Sequence, residues 1–345
     1  MLQQRHRPAL AGWLGRFICS LIVMGGVALA ANPLRAQEFV MKFGTQTRND
    51  PHEEFMKEYK AELEKATNNR IRVDIYTAAQ LGSAPRQVEG LRLGTIEAAI
   101  GPGELFVGAD PRFQVMAMPG LFKGMDHARH VMASPPMHQA IADIAASRNL
   151  VLVGITAYTF QSFAFKDAVT QIADFSGKRI RVLASQSERN AVAALGGSPI
   201  AMALPEVLPA LQQGTIDGVN AGLGVFVPFK YYDIAPNILD SHLWSIISIS
   251  LVSKVWYDKL PPDLQKAVVE AGAKIETTVD KWVDERTEAQ TKTWKTQGGK
   301  IAEFSPAEQA EATKRVTAAI QPMLDSNPDL KKVYDAIKAA SAKIN

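Results

Sequence analysis

GKRIRVLASQSERNAVAALGGSPIAMALPEVLPALQQGTIDGVNAG, residues 177–222, reads as strand, helix, strand, helix, strand, with one arginine, Arg181, near its front. Strands that alternate with helices give an open α/β sheet covered by helices. The same rhythm runs upstream. FVMKFG (39–44) is an apolar strand, after which Asp50 caps a helix, Pro51 suits its first turn and Glu53 completes a capping box. Phe55, Tyr59 and Leu63 recur on one face of that helix and Asn68-Asn69 ends it. Ile71, Val73 and Ile75 then alternate as a second strand, and IEAAIG (96–101) is a third.

Two short helices around Pro135-Pro136 lead to LVLVGIT (150–156), the continuous apolar run of a buried strand, followed by YTFQSFAF (158–165). Farther on, Leu264, Val268, Ala271, Ile275, Val279 and Trp282 share one face of a helical pattern over 261–297, which Gly298-Gly299 stops. A single helix of that length is about 55 Å long. A lobe of ~130 residues has a radius of gyration of roughly 14 Å, so the helix is expected to run across two lobes, with or without a kink. Ser305 to Glu308 is another capping box, and Asn327-Pro328 opens a last helix.

The N-terminus has the form of a cleaved secretory leader. Arg5, Arg7 and Arg16 precede an apolar run over 17–31, and Ala36 is a small residue suited to cleavage. Fifteen apolar residues fall short of the ~20 that span a bilayer. The leader carries four arginines and no acids, so the 38 basic and 35 acidic residues of the whole chain become 34 and 35 after it. That balance gives nucleic-acid binding no support. The one cysteine, Cys19, also lies in the leader, which leaves the exported chain with no disulfide and no thiolate nucleophile.

Catalytic signatures are missing: no His-Glu-x-x-His, no Gly-x-Ser-x-Gly, no Walker loop and no Rossmann glycine triplet. His127 and His130 stand three apart but lack a third donor for a metal, and read as surface histidines. No cofactor, metal or catalytic residue is therefore expected.

An ordered set of short motifs carries a resemblance. Phe43-Gly44, Gln80-Leu81-Gly82, Gly94-Thr95-Ile96-Glu97 and a Met-Pro-x-Leu-Phe segment from Met118 to Phe122 are followed by Gly177 to Val182 and Leu195-Gly196-Gly197. Glu206-Val207, Gln212-Gln213-Gly214, Asp217-Gly218 and the run from Trp256 to Pro261 complete it. With these the chain resembles the solute-binding proteins of tripartite ATP-independent periplasmic (TRAP) transporters, dicarboxylate-binding type, over essentially all of its length after the leader.

The resemblance implies a periplasmic, two-lobed α/β binding protein with a cleft between lobes and a long helix spanning both. Lobe one is expected over 38–158 plus 245–285, lobe two over 159–244 plus 286–345, after a leader over 1–36. In that family the second arginine of the strand clamps the ligand's carboxylate, which assigns the role to Arg181. Strand parity alone puts Arg179 on the same face and does not choose. A guanidinium offers a carboxylate two parallel donors, a strong charge-assisted contact.

Gln161 stands where many members carry a further arginine, and Asn220 where they carry a ligand-facing acid. Gln46 matches a contact from the opposite lobe; Phe163, Leu204, His242 and Trp244 complete the candidates. One arginine beside an amide and aromatic wall suggests a monocarboxylate with a less polar or aromatic remainder. The implied partners are that small organic acid and the membrane permease subunits of a TRAP transporter, with the receptor a monomer. A receptor presenting its ligand to a sensor kinase or chemoreceptor, an ABC-importer receptor, and an exported enzyme are the alternatives.

Overall fold

The computed structural model describes residues 38–276 and 278–344, so the expected leader lies outside the described residues. The chain begins β1 (Phe39–Gly44), α1 (Pro51–Ala66), β2 (Ile71–Tyr76), α2 (Ala84–Leu93), β3 (Ala98–Pro102), α3 (Met125–Ala133), α4 (Pro135–Ala146), β4 (Leu150–Phe160) and β5 (Ser162–Phe165). The stretch quoted first forms β6 (Arg179–Val182), α5 (Gln186–Ala194), β7 (Ser198–Ala201), α6 (Leu204–Gln212) and β8 (Gly218–Ala221), element for element as its pattern predicts. Then come α7 (Leu223–Phe226), β9 (Asn237–Asp240), β10 (Ser245–Ser253), α8 (Lys254–Tyr257), α9 (Pro262–Glu276), α10 (Val279–Thr296), β11 (Lys300–Glu303), α11 (Pro306–Ser326) and α12 (Pro328–Ser341).

Among the described residues the strands form two sheets, ordered β2-β1-β3-β10-β4 and β11-β9-β5-β8-β6-β7. Strands joined through helices pair in parallel, as β1 does with β2 and β6 with β7. The exceptions are the strands that cross between sheets. β4 passes into β5, and β9 into β10; β4, β5 and β10 are antiparallel to their neighbours, while β9 is antiparallel to β5 and parallel to β11. The two crossings are tied together: the Gln161 N–H donates to the Trp244 carbonyl at 2.9 Å, and Ser241 Oγ donates to the Gln161 carbonyl at 3.2 Å.

Each sheet is covered on both faces, because alternate residues of one strand enter different cores. On β10, Ile247, Ile249 and Leu251 join one cluster and Ile246 and Val252 the other. In the second sheet Phe163 and Phe165 face one core and Ala164 the other. Among the described residues no helix is long and apolar enough to cross a membrane.

Three expectations change. The helix expected over 261–297 is two helices, α9 ending at Glu276 and α10 beginning at Val279. The spanning role falls to α10, which touches α1 and β4 of the first lobe and α7 and β11 of the second. The last segment does not stay with the second lobe: Leu330, Tyr334 and Ile337 of α12 pack in a first-lobe core with Ile141, Leu150 and Leu152. His127 is buried rather than at the surface. Its Nδ1 accepts from the Lys123 N–H at 3.0 Å, and its Nε2 meets the carbonyls of Ser341 and Ile344 at 3.0 and 3.1 Å, holding the chain's end against α3.

Candidate ligand-binding site

A cavity of about 240 Å³ lies where the two sheets face each other, walled by segments that follow the strands. Gln46 and Thr47 come from beyond β1, Glu104 from beyond β3, Leu183 from beyond β6, and Met202 to Leu204 from beyond β7. Open α/β sheets place ligands at these strand ends. Most of the wall is apolar, including Leu105, Leu183, Met202, Leu204, Val225 and Ile246.

Arg181 is the cation of this cavity. Residing on β6 between β7 and β8, it is 3 % exposed. Its Nε donates to the Met202 carbonyl at 3.0 Å and Nη1 to the Asn220 carbonyl at 3.2 Å. Two of its five N–H groups are thereby fixed, which orients the guanidinium plane. Among the described residues no carboxylate lies within ion-pair distance of it; burial lowers its pKa and the nearby Glu188 partly offsets that. Arg179, two residues earlier on the same strand, is a surface residue held by Asp217 at 2.8 Å. Position along the strand, toward its C-terminal end, is what separates the two arginines.

Gln161, at the crossing from β4 to β5, is buried and joins two acids. Its Nε2 donates to Glu188 Oε1 at 2.6 Å and to Glu104 Oε1 at 3.3 Å. Glu188 Oε2 also accepts the Leu183 N–H at 2.6 Å. Burial and the Glu188 charge push the Glu104 carboxyl well above the usual range; burial also raises Glu188, against the pull of Arg181. Two buried carboxyls bridged by one amide do not both ionise readily, so the charge on either one pushes up the pKa of the other.

Gln46 Nε2 donates to the Gly82 carbonyl at 3.1 Å and Asn220 Nδ2 to the Ser162 carbonyl at 3.4 Å. Their oxygens, together with Glu104 Oε2, are buried with no hydrogen-bond partner among the described residues. Unmet buried acceptors at a cavity wall suit ligand donors.

The cavity thus brings together Arg181, Gln161, Asn220, Gln46 and Leu204 of the sequence-derived candidates. It does not include Phe163, Trp244 or His242. Phe163 stacks on Phe165 and meets Phe175 and Trp244 edge-on in the core behind the sheet, so it is not a cavity wall. His242, with a positive φ after β9, is half-exposed and pairs with Asp240 at 3.3 Å. Glu104 and Glu188 were not singled out from sequence. Glu188 closes the pattern Ser185-x-x-Glu188, which reads as a solvated helix start, and no local signal announces its burial.

A row of Asp50, His52 and Ser248 has triad-like spacing, with His52 Nδ1 2.9 Å from Asp50 Oδ2 and Nε2 2.7 Å from Ser248 Oγ. Ser248 is buried within β10 and is not on the cavity wall, so the row ties α1 to the sheet. Among the described residues no group of three or more His, Cys, Asp or Glu is placed to hold a metal ion.

The sequence profile described as bacterial extracellular solute-binding protein, family 7, matches residues 43–327. The chain belongs to this family. A C4-dicarboxylate-binding periplasmic protein of Rhodobacter capsulatus is 24 % identical over 95 % of this chain and 99 % of its own length. The crystal structure of a TRAP periplasmic solute-binding protein from Haemophilus influenzae with bound L-gulonate superposes with a TM-score of 0.83, at 24 % identity over 88 % of this chain and 99 % of the other. A Bordetella TRAP solute-binding protein, whose bound density was assigned as pantoate, gives 0.80 at 23 % identity over 87 % and 98 %. The fold is accordingly the two-lobed one of TRAP solute-binding proteins, and family and fold are those of transport receptors rather than enzymes.

Proposed function

We propose that this family 7 receptor is exported to the periplasm, captures a small carboxylic acid by a bidentate contact with Arg181, and delivers it to the membrane subunits of a TRAP-type permease. The observation that carries this reading is a buried guanidinium, oriented by two carbonyls and facing a cavity without a carboxylate partner among the described residues. A buried charge without a partner is costly. A ligand carboxylate supplies the partner.

The walls narrow the class. The cavity of about 240 Å³ suits a small organic acid. The unmet oxygens of Gln46, Asn220 and Glu104 call for hydroxyl donors, while Leu183, Met202 and Val225 call for an aliphatic body. A branched hydroxy monocarboxylate meets both demands. With Phe163 and Trp244 in the core, an aromatic remainder loses its expected stacking wall. Ligands of neighbouring structures, L-gulonate and the pantoate-assigned molecule, are hydroxy acids as well.

A thermal-shift screen of residues 37–345 against aliphatic hydroxy acids, sugar acids, dicarboxylates and aromatic acids tests the reading. At a hundred times Kd a ligand adds about 2.7 kcal/mol of stability. The expected result is a rise in Tm with one acid class that Arg181→Ala abolishes. A rise that persists in the variant, or a response only to neutral solutes, overturns it.

A further inference from the structure

Glu104 and Glu188 play no part in the carboxylate contact, yet they are among the most deeply buried acids of the protein. They come from different lobes: Glu104 from the 3-10 turn Gly103–Phe106 beyond β3, and Glu188 from the first turn of α5. One amide nitrogen, that of Gln161 at the crossing between lobes, bonds both. Glu104 keeps its second oxygen on the cavity, buried and unpartnered.

We propose that Glu104 and Glu188 form a one-proton subsite at the hinge end of the cavity, which couples acid binding to proton uptake and rejects a second ligand carboxylate. The inference rests on the cavity being the acid site. Arg181 balances one carboxylate; with both acids ionised the wall carries an excess negative charge next to the incoming anion. Once a ligand carboxylate engages Arg181, that cation is shared and stabilises Glu188 less, so the pair holds its proton more tightly. Closing the cavity over the pair also strips it of water, which disfavours the doubly ionised form again. A neutral donor on the ligand meets Glu104 Oε2, whereas a second carboxylate meets a like charge.

The surroundings leave the pair few other charges. From β6 comes Arg181, with the buried Tyr231 phenol beyond it, and from the 3-10 turn Pro111–Ala117 comes the neutral Gln114, whose Oε1 accepts the Ser187 N–H at 3.1 Å. α2 turns Gln87 and Val88 inward and leaves Arg86 and Glu89 exposed; α11, packed on α5, turns Ala312, Val316 and Ile320 inward and leaves Lys314 and Arg315 exposed. Across the cavity stand His52, Tyr158 and Glu206. Protonation therefore dominates below the pair's raised titration point, and above it affinity must fall as pH rises.

Two measurements on the receptor test this. Carboxyl ¹³C NMR of glutamate-labelled, ligand-free protein is expected to show one glutamate titrating far above the ordinary range, absent in both Glu104→Gln and Glu188→Gln. Calorimetry from pH 5 to 9 with pantoate, D-glucuronate and succinate as probes is expected to show monocarboxylate affinity falling by up to tenfold per pH unit above that titration, a flat profile in Glu104→Gln, and a gain in succinate affinity in Glu188→Gln. No elevated glutamate titration, or a wild-type pH slope that both variants retain, overturns the subsite. An elevated titration with no acid binding at any pH instead overturns the acid-receptor reading and leaves the shared proton standing.

Discussion

A buried arginine without an anion is tolerated only when the fold fixes it, and the Met202 and Asn220 carbonyls fix Arg181. Truncating one member of a desolvated charge pair costs roughly 2–5 kcal/mol. Arg181→Ala is therefore expected to weaken acid binding by about 30-fold or more, at 1.4 kcal/mol per decade, with the fold intact by circular dichroism. Arg181→Lys should fall between, since an ammonium on a flexible stem cannot keep the Met202 contact and also present two parallel donors. Calorimetry on both variants checks the order; a lysine variant as weak as alanine removes charge from the argument, and one as strong as wild type removes geometry. Sequence pattern reached this residue only through the motif resemblance, because alternation treats Arg179 and Arg181 alike. Phe163 and Trp244 show the opposite limit: an apolar residue type announces burial but not which apolar surface buries it. Glu188 was illegible because its bonds are to Gln161 and Leu183, one distant in sequence and one behind the cap.

Elements were legible wherever a local signal starts or stops them. Asp50 does accept the Glu53 N–H at 3.2 Å, Ser305 the Glu308 N–H at 3.3 Å, and Asn68 and Asn69 adopt the positive φ that ends α1. The split between α9 and α10 was illegible, since Ile275, Val279 and Val283 all stay buried and the helical period runs through the break. Trp282, expected on that face, is only partly buried, and Val283 takes its place. α9 lies so close to β4 that a Cβ on Gly272 would overlap the Val153 carbonyl, which is backbone and cannot swing aside. Gly272→Ala gains ~1 kcal/mol of helix propensity and loses about 1–3 kcal/mol or more to overpacking; a net loss in urea denaturation is expected, and a net gain would show α9 free to shift. The same α9 ends in Glu276, which accepts the Ile155 N–H at 2.5 Å and meets His138 of α4 at 3.3 Å. The bond to Glu276 raises the His138 pKa, so the stabilisation is fully present below the ordinary value of ~6.5 and is lost as pH rises through the raised value. The pair is part-exposed and worth at most about 1 kcal/mol. The stability gap between wild type and His138→Gln should therefore shrink from pH 6 to pH 9, and a constant gap would assign it to packing alone.

At the scale of the molecule the two sheets are joined by two antiparallel crossings and by α10. Gln161 and Ser241 to Trp244 sit at the crossings, where few φ/ψ angles need change for the lobes to swing. Contact across the cavity would limit such a swing. Tyr158 of β4 reaches the second lobe beside α7, and its hydroxyl lies so near Gly224 that any Cβ there would overlap it, with the ring carbon Cζ only 2.7 Å away. Gly224 thus leaves room for the Tyr158 hydroxyl between the lobes. Gly224→Ala forces the lobes apart or the tyrosine aside, at ~1–3 kcal/mol for overpacking, and so lowers ligand affinity by roughly 5- to 150-fold. Adding Tyr158→Phe removes the hydroxyl overlap but leaves the ring contact, so it restores affinity only in part. Small-angle scattering separates this from direct loss of a ligand contact: wild type is expected to contract when saturated with its acid, whereas Gly224→Ala should stay extended at equal saturation. Equal contraction in both would mean that closure stops elsewhere, and that Tyr158 acts on the ligand rather than on the lobes.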